Sequence, residues 1–241
     1  PMSARRQRQM CIRDSSKSGL FDVSHMGEFI VSGNNAKTFL QNVTTNDIQK
    51  LEAGKVQYSA FCNDSGGVID DLLVYHLGDC YMLVVNASNI EKNFEWLSSK
   101  LIDDVSLEDK SDSMSLLALQ GPLSRTHLKK LYPKIEDLKY YETLLPDNNE
   151  VIVARTGYSG ELGFEIYAPN SIILKLWNEI LSLSDDILPV GLGCRDSLRL
   201  EMGYCLYGNE LNEKTTPIEA GLSWITTVSY THLRAHETTD N

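Results

Sequence analysis

Residues 57–76 read QYSAFCNDSGGVIDDLLVYH, and this stretch decides the fold class. QYSAFC (57–62) and VIDDLLVYH (68–76) are short runs rich in apolar and aromatic residues, which reads as strands. Between them NDSGG (63–67) supplies a turn whose backbone needs positive φ. The segment is therefore a β-hairpin. Working outward, YMLVV (81–85) is a third strand and GEFIV (27–31) alternates as another. Residues 35–42 place Ala36, Phe39 and Leu40 on one helical face, and 88–101 place Ile90, Phe94, Leu97 and Leu101 on another. Further along, 114–119, 150–155 and 164–167 read as strands, and 122–131, 171–183 and 192–202 as helices. In the helix over 171–183, Ile173, Leu176, Trp177 and Ile180 point inward. The mixture is α+β, with antiparallel sheets and packed helices.

The 241 residues suit one large domain or two modest ones. There are 22 Lys and Arg against 33 Asp and Glu, a net charge of −11. Such acidity argues against binding a phosphate backbone, so nucleic acid is not an expected partner. No apolar run approaches the ~20 residues of a membrane helix. The five cysteines, at 11, 62, 80, 194 and 205, have no C-x-x-C spacing, which fits a reducing compartment.

Both ends stand apart. Residues 9–15 (QMCIRDS) and 228–233 (VSYTHL) are compatible with opposite strands of one inverted DNA repeat, and the pair resembles translated sequencing-library adapter. Residues 1–15 and 228–241 are expected to be non-native tails, with 16–227 the credible region. Setting the tails aside removes five arginines, Asp14, Glu237 and Asp240, which leaves 17 basic and 30 acidic residues. Three histidines remain, His25, His76 and His127, too scattered for a metal site.

Three constellations carry chemistry. Asp70 and Asp71 are adjacent in an otherwise apolar strand. Alternation sends them to opposite faces. One can be solvated, and the other shares a face with apolar neighbours, where a carboxylate costs several kcal/mol unless paired, hydrogen-bonded or protonated. One of the two is thus a candidate acid, base or cation-stabilising group; two exposed edge-strand acids is the other reading. The second constellation is RTGYSGELGFEI (155–166). Glu165, between Phe164 and Ile166, can pair bidentately with an amidine-like N–H edge such as that of a pterin or guanine; a solvated outer-face Glu fits the spacing too. The third is GLGCRDSLRLE (191–201). It lacks the full G-x-G-x-x-G, with Asp196 in the third position, so it is no dinucleotide fingerprint. On a helix, Arg195 and Arg199 fall at i and i+4. One suits a buried strut and the other suits reaching a ligand or Glu165. NDSGG lacks the acidic ligands of a calcium loop.

Together, GLFDVSHMGEF (19–29), NDSGGVIDDLLVY (63–75), VVNASN (84–89), ALQGP (118–122), RTGYSGELGFEIY (155–167), GCRDSLRLEMGYCLYGNEL (193–211) and PIEAGLSW (217–224) resemble, in order, the aminomethyltransferase or T-protein family of the glycine cleavage system. The resemblance implies a multi-domain folate-binding fold whose C-terminal barrel domain is missing here. It implies an enzyme that passes a methylene from an aminomethyl group on a lipoylated H-protein to tetrahydrofolate, with ammonia released. No metal, nucleic acid or membrane enters that chemistry. By motif position, Asp71 matches the family's catalytic aspartate, and Glu165 and Arg195 match its pterin-site pair. Met26, Tyr58 and Asn86 fall where the folate pocket is lined. The implied location is cytoplasmic in a bacterium and the mitochondrial matrix in a eukaryote. Two other readings stand beside it. One is a folate-binding iron–sulfur maintenance protein of the same fold, whose K-G-C-[YF]-x-G-Q-E is replaced by LEMGYCLYGNE (200–210). The other is a structural fragment without turnover.

Overall fold

The computed structural model describes residues 16–146 and 150–226. The expected tails, 1–15 and 228–241, lie outside the described residues. The chain divides into two compact units. One combines the chain up to His25 with Asp112–Tyr204, and the other combines Met26–Ser111 with the chain from Cys205 onward.

The second unit holds the hairpin. Strands β2 (Gly27–Ser32), β3 (Val56–Cys62), β4 (Val68–His76), β5 (Tyr81–Val85) and β6 (Ser106–Asp109) form a sheet in the order β3-β4-β5-β2-β6. Every neighbouring pair in it is antiparallel. Helix α1 (Ala36–Val43) buries Ala36, Phe39, Leu40 and Val43. Helix α2 (Ile90–Ser98), led in by a 3-10 turn at Ala87–Asn89, fully buries Leu97. These faces close one core with Phe29, Phe61, Leu72 and Val74. The helix expected over 88–101 stops at Ser98, and Leu101 is exposed rather than inward.

Between Phe61 and Cys62 the β3–β4 register slips, so Phe61 faces Asp70 while Cys62 faces Val68. Ile69 is the extra residue of this bulge, and such a residue bends its strand and re-aims the side chains beside it. The chain after Cys205 lies against this hairpin. Val68 N–H reaches the carbonyls of Asn212 and Thr215 at 3.1 and 3.0 Å. Asn63 Nδ2 donates to the Glu213 carbonyl at 2.9 Å. A small apolar cluster of Ala60, Val68, Leu211 and Ile225 sits beneath, with Cys205 packed against it.

The first unit carries β1 (Ser18–Asp22), β7 (Met114–Gln120), β8 (Thr143–Leu144), β9 (Ile152–Ala154), β10 (Gly163–Pro169) and β11 (Ile187–Val190), in the order β11-β1-β7-β10-β9-β8. β1 and β11 pair in parallel, an exception to the expected antiparallel pattern. Pro189, which has no N–H to give, sits on the edge strand β11. Helices α3 (Ser124–Leu128), α4 (Asn170–Ser182) and α5 (Leu192–Glu201) complete the unit. The helix expected over 122–131 is thus a short one. In α4, Leu176 and Ile180 are buried as expected, while Ile173 and Trp177 are partly buried against the same core. Among the described residues, no helix is long and apolar enough to cross a membrane.

A Cβ at Gly67 would strike the Glu213 backbone carbonyl. We expect Gly67→Ala to cost about 1–3 kcal/mol, as overpacked sites do, in a urea titration followed by circular dichroism. A cost below ~0.5 kcal/mol would mean that the 212–215 segment does not press on the hairpin turn.

Candidate functional site

In the second unit, the bulge at Ile69 precedes two carboxylates with different fates. Asp70 is fully buried. Its Oδ1 accepts from Asn86 Nδ2 and Asn89 Nδ2, both at 2.8 Å. Its Oδ2 accepts from the Asn86 backbone N–H at 3.1 Å and from Asn93 Nδ2 at 2.5 Å. Burial still raises its pKa above the ordinary carboxylate value, against the downward pull of these bonds.

Asp71 is partly exposed. Tyr58 Oη donates to its Oδ2 at 2.8 Å, and Asn86 Nδ2 donates to its Oδ1 at 2.9 Å. Tyr58 sits on β3 opposite Leu73, two pairs along from Ala60 and Asp71, so its side chain shares the face of Asp71. Asp70 engages Asn89 and Asn93 of the helical segment instead, which is the alternation expected from adjacent strand positions. Loss of hydration, reinforced by the neighbouring Asp70 charge, pushes the Asp71 carboxyl up to about 6, while the bonds from Tyr58 and Asn86 hold it down. Such a group changes protonation state close to neutral pH, which suits it to acid–base work.

The structure brings Asp71, Tyr58 and Asn86 together. Met26, also in this unit, is partly buried just before β2 and stands outside that hydrogen-bonded group. Sequence reasoning missed Asn89 and Asn93. With Asn86 they fall at i, i+3 and i+7, the spacing of one helical face, and that polar stripe beside an inward apolar one was the available signal.

Glu165 and Arg195 lie in the first unit. Glu165 is on β10 and only 4% exposed, so the outer-face reading does not hold. Thr156 Oγ1 donates to its Oε2 at 2.5 Å, with Tyr167 Oη at 3.4 Å. Its Oε1 faces Arg195 Nη2 at 3.9 Å, within ion-pair range but beyond a hydrogen bond. Arg195, on α5, lies over the Tyr158 ring at 4.9 Å, and Tyr158 stacks on Tyr204 at 5.8 Å. Arg199 is the strut. It is buried, with Nε bonded to Asp196 Oδ1 at 2.8 Å and Nη1 to the Tyr204 carbonyl at 3.0 Å.

The glycine-rich turn wraps a single amide. Cβ atoms at Gly157 and Gly163 would both strike the Gln120 side chain. Ser159 Oγ donates to Gln120 Oε1 at 2.9 Å, and Gln120 Nε2 donates to the Thr156 carbonyl at 3.4 Å. Beside the turn lies a cavity of about 230 Å³, lined by Tyr140, Arg155, Thr156 and Tyr204 among others. It is smaller than the ~300–1,000 Å³ that encloses a drug-sized ligand, and so fits part of one. Thr156 and Tyr204 were not singled out from the sequence. Among the described residues, no three His, Cys, Asp or Glu side chains group as metal ligands.

The GCVT N-terminal domain model matches residues 7–229. The aminomethyltransferase of Chloroherpeton thalassium is 52% identical over 215 residues, covering 86% of this chain and 59% of its own length. That of Halothermothrix orenii is 47% identical, covering 87% and 60%. The chain therefore spans about 60% of the length of these curated relatives. The solved glycine cleavage system aminomethyltransferase T from Bartonella henselae superposes with a TM-score of 0.87 at 33% identity, covering 95% of this chain and 62% of that one. A heterotetrameric sarcosine oxidase from Corynebacterium sp. U-96 shares the fold at a TM-score of 0.52 and 19% identity.

The raised Asp71 pKa has a consequence for stability. Relative to the ordinary 3.8, the folded state holds this proton more tightly. The stabilisation is full below about 3.8 and is lost as pH rises through about 6. Asp71→Asn should flatten that fall in stability when melting is measured from pH 4 to 7. Tyr58→Phe removes a bond to the charged form, so the Asp71 midpoint, followed by carboxyl ¹³C NMR, should move upward. A downward move would mean that Tyr58 does not support the carboxylate.

Proposed function

The chain belongs to the GCVT N-terminal domain family, and from that premise we propose that it serves tetrahydrofolate-dependent aminomethyl transfer, with a lipoylated H-protein as donor. The observation that carries the reading is Asp71: a carboxyl held at both oxygens by Tyr58 and Asn86, with its acidity tuned to about 6. In this reaction the methylene carbon exchanges its bonds to nitrogen and sulfur for bonds to two folate nitrogens, and the two folate protons leave with ammonia and the thiol. Asp71 takes or holds a proton at the amine, and its negative charge steadies the positive charge that develops beside it.

Glu165 and Arg195 suit the pterin. Glu165 is anchored through one oxygen by Thr156, and Arg195 lies over the Tyr158 ring. Side by side, an acceptor and a planar cation fit a ring edge that carries both N–H donors and a carbonyl. Met26, Tyr58 and Asn86 are proposed to line the folate site. No metal is needed for these steps.

Asp71→Asn keeps shape and removes charge. Turnover should fall by roughly 100-fold or more, the range for preorganised electrostatic groups, while tetrahydrofolate affinity changes little. Glu165→Ala should weaken tetrahydrofolate binding by about 1–3 kcal/mol. The measurements are tetrahydrofolate titration and ammonia release from an aminomethyl-loaded lipoyl carrier. If Asp71→Asn loses affinity as Glu165→Ala does and keeps its saturated rate, Asp71 only lines the pocket.

A further inference from the structure

We propose that Asp70 is a positioning residue for Asp71, acting through the Asn86 side-chain amide that the two carboxylates share. The proposal rests on the role given to Asp71 above. Asn86 follows directly after β5, opposite the pair of acids on β4. Its amide nitrogen has two hydrogens. One serves Asp70 Oδ1 at 2.8 Å, and the other serves Asp71 Oδ1 at 2.9 Å. The Asn86 backbone N–H is also spent on Asp70, at Oδ2. Asn86 is therefore fixed at two points by Asp70, and its remaining amide hydrogen faces Asp71, whose backbone carbonyl lies at 3.2 Å beside Oδ1.

Asp70 is itself bonded at both oxygens. Asn89 takes Oδ1 and Asn93 takes Oδ2, and all three side chains are buried. Helix α2, which carries Asn93, also ties the strand through Lys92, whose Nζ donates to the Ile69 carbonyl at 2.8 Å and to Tyr207 Oη at 2.9 Å, with Glu213 at 3.4 Å. The groups that bear on Asp71 are then Tyr58 from β3, Asn86 after β5 and the Asp70 charge beside it. A buried carboxylate with only neutral donors is an expensive way to support a core. Its cost is explained if the charge and the fixed amide both act on the neighbouring acid.

The test uses the 241-residue chain and Asp70→Asn, with folding checked by melting and near-ultraviolet circular dichroism. Carboxyl ¹³C NMR follows the Asp71 titration, and hydrogen exchange follows the Asn86 side-chain amide. We expect the Asp71 midpoint to move down from about 6 and the Asn86 amide to exchange faster. A folded Asp70→Asn protein with an unchanged midpoint and an equally protected Asn86 amide overturns the proposal. Should Asp70→Asn fail to fold, Asn89→Ala removes one donor from Asp70 without touching Asn86. The Asn86 amide should then exchange faster, and an equally protected Asn86 amide overturns the proposal. Neither readout depends on turnover. If both move as expected yet Asp71→Asn leaves ammonia release intact, the assigned role of Asp71 fails and its coupling to Asp70 stands.

Discussion

A carboxylate removed from water must be carried by whatever surrounds it, and Asp70 is carried by four neutral N–H groups. Taking a charge out of water costs several kcal/mol even after relaxation. Hydrogen bonds to a charged group return about 1.5–3 kcal/mol each. Four such bonds can hold Asp70 ionised, but only if every donor keeps its place. That condition reaches across the unit. Asn89 and Asn93 must be presented by the turn and helix that follow β5, and Asn86 must sit at the end of that strand. The bulge at Ile69 must aim Asp70 toward them while Asp71 takes the other face. The partly buried acid next door inherits its geometry from this fully buried one.

The same logic governs the first unit with different parts. There the buried centre is Gln120, at the end of β7, and the chain from Thr156 to Gly163 closes around its amide. Glycine at 157 and 163 is a steric requirement, because any side chain would occupy the amide's space. With the turn fixed in this way, Thr156 stands where its hydroxyl reaches Glu165 Oε2. Glu165 pairs in register with Ala118 of β7 and Ala154 of β9, so its backbone is held from both sides. Its side chain is thus oriented by sheet, turn and helix together.

Much of the second unit was legible in the sequence because its signals are local. Strands at 68–76 and 81–85 and the intervening turns announce themselves by apolar runs bounded by Gly, Asn and Asp. β1 and β11 gave no such signal. SGLFD has four consecutive buried residues, so it lacks alternation, and ILPV contains a proline that argues against a strand unless the edge position is known. Their pairing joins residues about 170 positions apart, which no local pattern encodes. At the site, the two acids of β4 read as unequal, but which was buried could not be decided from spacing. The bulge that decides it is a register property of two strands. Glu165 was ambiguous for a related reason. A carboxylate between two apolar residues looks the same on a solvated face as on one covered by a turn, and the cover here comes from Thr156 and Arg195, 9 and 30 positions away.

The contrast between the two acidic sites bears on what each can do. Glu165 has a cation within ion-pair range and a hydroxyl bonded to one oxygen, an arrangement that fixes direction for recognition. Asp71 has no such cation among its bonded neighbours, which are a phenol and an amide. A neighbouring cation would favour the charged form and hold the acid ionised far below neutrality. A phenol and an amide orient a carboxylate while favouring its charge less, and a second buried acid beside it favours the proton. The surroundings of Asp71 thus keep proton gain and loss close in energy near neutral pH. That balance is what a group needs if it is to exchange a proton with an amine during a transfer, and it follows from the residue types placed around the acid.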